Sequence, residues 1–378
     1  MPEQETKANL HIRSFVRLAE ALDRILVISN VGISRVRACT TFSPSFYYNL
    51  KLLQEMFPNA KFITQKEYEL WVDNQSEKIV AEHFLFNALR NITLNDYEGP
   101  QQHGPNGLYK TFTIANSSSI YYKKRMNFIK HYKTCPYDLK LNKLNLTKLK
   151  EVRLFRSGVL TKSVEKREMF SKFLTKALES DSQVLLISSN FRQPLFPDMR
   201  EPIPYAEHIL NEASKITDRL ESSYIAIHWR MEQTRSANLP GCAKELVRTI
   251  NEIKKNTRIK NVYLATDFPI SYNKNGSIIN TEISNVMKTQ SDTFSDITAQ
   301  HIRAMNILTS SIEGPGVQGI LDKLVCINSN YFLSGPRGCC RISSGFTKQI
   351  AVSRTQLLIE GNPNILNTIT RWSAKSNW

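Results

Sequence analysis

The chain has 378 residues, 50 of them basic and 34 acidic, for a net charge of +16. At about 150 residues per domain, that length predicts two domains; 41% hydrophobic and 22% charged residues exclude a wholly disordered chain. No apolar run approaches the roughly 18 residues that a membrane span needs. The polar start Met1–Asn9 lacks the basic-then-apolar order of a signal peptide.

In chain order, Ile12, Phe15, Val16, Ala19 and Leu22 fall at helical spacing, with Arg13, Arg17, Glu20 and Asp23 largely on the other side. The apolar run Ile25–Ile28 follows as a buried strand. Phe46 to Met56 reads as a helix stopped by Pro58, and Lys61–Thr64 as another strand. Residues 65–150 mix helix-like and strand-like pieces. Between Lys110 and Lys176 stand 17 Lys or Arg against 4 acids, a local +13 that is either a solvated basic face or an attraction for phosphates, nucleic acid or an anionic surface.

Beyond residue 150 the pattern clears. Strands are predicted at Val184–Ser188, Tyr224–Ile227, Val262–Ala265 and within Val325–Leu333. Helices are predicted at Pro204–Ile216, Cys242–Ile253, Glu282–Met287, Ile297–Leu308, Gly319–Leu324 and Phe346–Leu358. Alternating strands and helices with continuous apolar strand runs predict a parallel α/β sheet covered on both faces. The six cysteines form no C-x-x-C pair and have no histidine at zinc spacing, so no structural metal is expected. Of the adjacent Cys339 and Cys340, at most one is expected to bond a distant cysteine.

In a parallel sheet the ligand sits beyond the carboxyl ends of the strands. Two polar clusters fall there: His228-Trp229-Arg230-Met231-Glu232 and Thr266-Asp267. A third, Ser343-Ser344-Gly345-Phe346-Thr347, opens the last helix. Hydroxyls and N–H groups at a helix start attract anions, and an Arg fork grips a diphosphate. Asp267 suits a base amine or a ribose hydroxyl. Each cluster also has a plainer reading. His228 suits a satisfied core histidine, Arg230 and Glu232 suit surface pairing, and Asp267, Ser343 and Ser344 suit helix caps.

The segments Tyr224-Ile225-Ala226-Ile227-His228-Trp229-Arg230 and Val262-Tyr263-Leu264-Ala265-Thr266-Asp267 resemble the H-x-R strand and the Y-x-A-T-D segment of the GDP-fucose-dependent protein O-fucosyltransferase family. Leu321-Asp322-Lys323-Leu324-Val325-Cys326, Tyr331-Phe332, Ser343–Thr347 and Arg354 are similar to its closing region. Leu18–Val27 is similar to its first helix and strand. The likeness covers residues 10–30 and 184–358, and order and spacing carry it.

The resemblance implies an α/β chain of two Rossmann-like domains facing a cleft, the glycosyltransferase B (GT-B) type. The division is placed at 1–165 and 166–378, within a boundary zone of about 150 to 183. It implies inverting transfer of fucose from GDP-fucose to a protein or glycan hydroxyl, with no metal and no other cofactor. Arg230 would stabilise the departing diphosphate, Glu232 would orient it or act beside it, and His228 would line the diphosphate site. Ser343, Ser344 and Phe346 would hold phosphate and nucleoside, and Asp267 the nucleoside. The family works in the secretory pathway.

Three departures stand out. The glycine-rich loop ahead of the family's first helix has no counterpart in the nine residues before this one, which implies a truncated chain or a lost site. Glu232 is not at identical spacing to the family's acid. Gly345 interrupts the S-S-F pattern and is expected to shift the phosphate-binding turn. Other readings stay open: a GT-B transferase for another nucleotide sugar, an inactive nucleotide- or glycan-binding relative, and a nucleic-acid binder using Tyr121, Tyr122, Phe128 and Tyr132 for stacking. No recognised RNA- or DNA-binding motif supports the last, so nucleic acid is not an expected partner.

Overall fold

A computed structural model describes residues 5–32, 35–36, 42–77, 79–87, 101–102, 109–115, 149–157, 172, 174–176, 178–189, 202–220, 223–230, 236–266, 316–341 and 344–372. The chain is a mixed α/β protein with parallel sheet pairings, and it forms two compact units, Met1–Ala206 and Glu207–Trp378. Among the described residues no helix is long and apolar enough to cross a membrane.

The first unit opens with α1 (Glu5–Ala21), β1 (Ile25–Ile28) and a short antiparallel pair, β2 (Val31–Gly32) and β3 (Arg35–Val36). The helix is buried on more sides than its apolar spacing predicts. Arg13 belongs to the buried set with Ile12 and Val16, and Asn9 is sealed by a two-way hydrogen bond with the Ile203 backbone at 3.0 and 2.9 Å.

The helix expected over Phe46–Met56 is two helices, α2 (Pro44–Tyr47) and α3 (Leu50–Met56). Tyr48 turns extended to bridge and stack on Tyr205, and Asn49 restarts the helix by capping Leu52 N. β4 (Lys61–Thr64) pairs in parallel with β1, and α4 (Gln65–Asp73) follows through a Thr64–Glu67 capping box.

Five further strands make one mixed sheet: β5 (Ala81–Asn87), β6 (Gln101–Gln102), β7 (Tyr109–Ala115), β8 (Leu149–Ser157) and β9 (Val184–Ser189). Its order is β6-β7-β8-β5-β9, parallel at β8-β5-β9 and antiparallel at β6-β7-β8. β9 therefore completes the first unit, and the division between units falls after it. The helices expected at 282–287 and 297–308, and much of the basic stretch, lie outside the described residues.

The second unit holds α5 (Glu207–Arg219), β10 (Tyr224–Trp229), α6 (Leu239–Thr257), β11 (Asn261–Thr266), α7 (Val317–Asn328), β12 (Tyr331–Ser334), α8 (Gly345–Ile359) and β13 (Thr370–Arg371). Its four described strands are all parallel, in the order β11-β10-β12-β13. Every residue of β10 is buried, as a central strand covered on both faces must be. Ile225, Ile227 and Trp229 pack with Cys242, Leu246, Ile250 and Ile253 of α6. On the other face Tyr224 donates to Val325 O of α7 at 2.7 Å. The strand expected within Val325–Leu333 is β12, which starts at Tyr331, and the apolar run Val325–Ile327 ahead of it is the end of α7.

Two features lock this unit. Arg354 of α8 is fully buried and donates to the carbonyls of Cys326, Ile327, Ser329, Asn330 and Asn367 at 2.5–3.2 Å. That set includes orphan carbonyls at the end of α7. Trp372 is also buried, edge-on to Trp229, with its ring over Gly335. Beneath β11, Asp322 of α7 accepts from Tyr263 Oη at 2.5 Å and Gln318 Nε2 at 2.8 Å, and desolvation pushes its carboxyl up to about 6.

Candidate functional site

The candidate site is the carboxyl edge of the second unit's sheet, where β10 ends and α8 begins. Side-chain alternation along β10 sends Trp229 toward α6 and His228 toward α8. His228 Nδ1 lies 2.7 Å from Thr347 Oγ1, and its ring sits 4.6 Å from that of Phe346, tilted by 36°. His228 is 7% exposed. Burial, and then the neighbouring Arg230 cation, bring its pKa down to about 4, so the imidazole is neutral at physiological pH. It is thus both a satisfied buried histidine and a neighbour of the helix start.

Arg230 continues past the strand. Its Nη1 donates to Ser344 Oγ at 3.4 Å. Ser344 is the N-cap of α8, and its Oγ also accepts from Thr347 N at 3.3 Å. One serine oxygen therefore binds the helix start and the guanidinium together. This gathers a planar cation, a neutral imidazole, an aromatic ring and the positive end of a 15-residue helix. Such a set favours an anion with a planar group attached. Gly345 is simply the first residue of α8, and a Cβ built there meets nothing within 4 Å. The helix cap forms across it.

Arg230 is held from behind by the segment joining β12 to α8. Arg341 N donates to Arg230 O at 3.1 Å, Arg230 N to Cys340 Sγ at 3.4 Å, and Trp229 Nε1 to Cys339 O at 2.8 Å. Asn238 Nδ2 donates to Gly338 O at 3.2 Å, and a Cys242–Cys339 disulfide ties the segment to α6. Gly335 has no alternative in this geometry, since an added Cβ would stand 2.3 Å from Cys340 Cβ. Cys340 and Cys326 are buried thiols outside that disulfide. Of the adjacent pair only Cys339 bonds a distant cysteine, as expected.

Of the seven site residues read from the sequence, His228, Arg230, Ser344 and Phe346 come together here. Glu232, Asp267 and Ser343 lie outside the described residues. Sequence reasoning missed Thr347 as the partner of His228, although its position three residues after the Ser344 cap placed it in the first turn. It also missed the 335–341 segment behind Arg230, which has no local signal beyond glycine and adjacent cysteines.

No family model and no curated protein matches the chain. Among solved structures it is similar to POFUT1 in complex with GDP-fucose, at 11% identity over 99% of this chain and 96% of that one, with a TM-score of 0.48. It is similar to apo POFUT1 at 11% identity over 98% and 95%, with a TM-score of 0.47. It is also similar to POFUT1 in complex with GDP at 11% identity over 98% and 96%, with a TM-score of 0.46.

Proposed function

We propose that the second unit binds the diphosphate of a nucleotide sugar, and that the chain is a GT-B-type fucosyltransferase using GDP-fucose. The observation that carries the reading is the meeting of His228, Arg230 and the Ser344-capped start of α8 at one sheet edge. The parallel sheet supports it, since this is the edge where such sheets bind ligands. The sequence motifs supply the choice of GDP and fucose.

In this reaction the bond from sugar C1 to the β-phosphate oxygen breaks, and its electron pair leaves with GDP. The acceptor hydroxyl oxygen attacks C1 from the opposite face and gives up its proton, inverting the centre. Arg230 faces the charge that grows on the leaving phosphate, so its contact strengthens in the transition state. With that cation in place, no metal is needed. His228 and Ser344 bind phosphate oxygens, and Phe346 packs on the nucleoside. Ser343, Asp267 and Glu232 take the phosphate, nucleoside and Arg-orienting roles given above. The acceptor is a protein or glycan hydroxyl. A disulfide between Cys242 and Cys339 favours an oxidising compartment, in keeping with work in the secretory pathway.

The test is a thermal-shift titration with GDP, ADP and UDP on wild type and Arg230→Ala. A ligand at 100 times its Kd stabilises by about 2.7 kcal/mol, so a GDP-selective shift lost in the variant is expected. Transfer from labelled GDP-fucose, absent in Arg230→Ala, then establishes turnover. Failure of every nucleotide to shift wild type would refute the reading.

A further inference from the structure

We infer that Thr347 is a positioning residue that fixes the ring proton of His228 on Nε2, so that the imidazole offers a hydrogen-bond donor to a phosphate oxygen. Its functional half rests on the nucleotide reading above; the tautomer itself does not.

The 2.7 Å contact between Thr347 Oγ1 and His228 Nδ1 holds a single proton, and two arrangements are open to it. If the ring donates from Nδ1, the hydroxyl hydrogen needs a second acceptor. Thr347 is 8% exposed, and among the described residues its Oγ1 makes no other hydrogen bond. A buried donor left unmade is costly. If the hydroxyl donates to Nδ1, both atoms are satisfied and the ring proton stands on Nε2. The ring is packed against that of Phe346, centroids 4.6 Å apart. Thr347 itself is fixed, because Ser344 Oγ holds its backbone N–H. The same serine receives Arg230, so one helix turn sets both the guanidinium and the imidazole proton.

This also explains how a buried, uncharged histidine serves an anion site. A neutral ring presenting a bare nitrogen would repel phosphate oxygens, whereas an Nε2–H attracts them.

The test uses the full chain with 15N-labelled histidine and long-range 1H–15N correlation spectra at pH 7. Wild type is expected to show His228 as a single tautomer protonated at Nε2. Thr347→Val, nearly isosteric, is expected to lose that signature and show tautomer mixing, and Thr347→Ser to restore it. GDP affinity is expected to fall roughly tenfold in Thr347→Val and to stay within about twofold in Thr347→Ser, the loss of one oriented hydrogen bond. A melting curve checks that each variant is folded, and the serine variant keeps the test decisive if valine is not tolerated. An Nδ1–H tautomer in wild type, or an unchanged spectrum in Thr347→Val, would overturn the inference. If the tautomer is as stated while GDP binds none of the proteins, the nucleotide reading and the functional half fall and the proton assignment stands.

Discussion

Removing the Cys242–Cys339 disulfide tests the stability of the second unit and the support of Arg230 in one experiment. The bond joins residues 97 apart in sequence. Closing a loop of about 100 residues removes up to about 4.7 kcal/mol of chain entropy from the unfolded state, and measured disulfides commonly give somewhat less. A loss of about 3–5 kcal/mol is therefore expected for Cys242→Ala/Cys339→Ala. At about 2–4 °C per kcal/mol for a unit of this size, the melting temperature falls by roughly 6–20 °C. The second effect is local. Cys339 is the anchor of the segment whose backbone holds Arg230 and Trp229, so GDP affinity is expected to drop well below the melting transition as well. Scanning calorimetry without reductant gives the first quantity and titration calorimetry at 15 °C the second. An unchanged melting temperature, or alkylation of Cys242 and Cys339 in the folded, unreduced protein, would refute the reasoning. A lowered melting temperature with unchanged GDP affinity would show that the segment does not hold Arg230.

Three further outcomes follow from particular contacts. Arg354→Met takes a donor from five backbone carbonyls, of which Cys326 O keeps Ser329 Oγ and Asn330 O keeps Leu366 N, and is expected to destabilise by roughly 4 kcal/mol in urea titration; Arg354→Lys should not rescue it, because a point charge cannot reach them all. Two buried groups of the second unit contribute to the pH profile in opposite directions. Between pH 6.5 and about 4 the unfolded chain protonates at His228 and the folded chain does not, so acidification costs stability, up to about 1.4 kcal/mol per pH unit. Between about 6 and 3.8 the folded chain holds a proton on Asp322 that the unfolded chain has released, so acidification there adds stability. Asp322→Asn should thus steepen the loss of melting temperature between pH 6 and 4, and identical wild-type and variant profiles would exclude this balance. Gly345→Ala, with open space for its methyl, is expected to stabilise by about 0.5–1 kcal/mol in thermal melts.

Much of the second unit was legible because its strands are short apolar runs: Tyr224–Trp229 runs two residues past the expected Tyr224–Ile227, and Asn261–Thr266 one residue past each end of the expected Val262–Ala265. His228, Arg230 and Ser344 were legible for a related reason. A parallel strand announces its carboxyl end by the change from apolar to polar, and a serine before a helical pattern announces a cap. What local pattern did not carry is set by distant partners. Tyr48 breaks a helical run only because Tyr205 is there to pair with it. Arg13 looks like a solvent residue until the rest of the first unit covers α1. The end of α7 reads equally well as a strand, and the carbonyl clasp of Arg354 is what gives those residues a helical end. Likewise nothing near Arg230 in sequence foretells that residues 338–341 will stand behind it.

The placement of Trp372 has a consequence for how the second unit is made. Its ring closes the core beside Trp229 and Gly335, and β13 just before it completes the sheet against β12. Among the described residues both come after the other strands and helices of that unit. A ribosome delivers residues in order, so β10 and α6 emerge with one flank still missing, and an apolar sheet edge waits for its cover until residue 372 is free. Until residue 339 emerges Cys242 has no partner to meet, and its thiol is open to others. The nascent second unit is thus the stage at which chaperones and oxidative-folding enzymes have most to do, and truncation just before Trp372 should yield a chain that they retain rather than release.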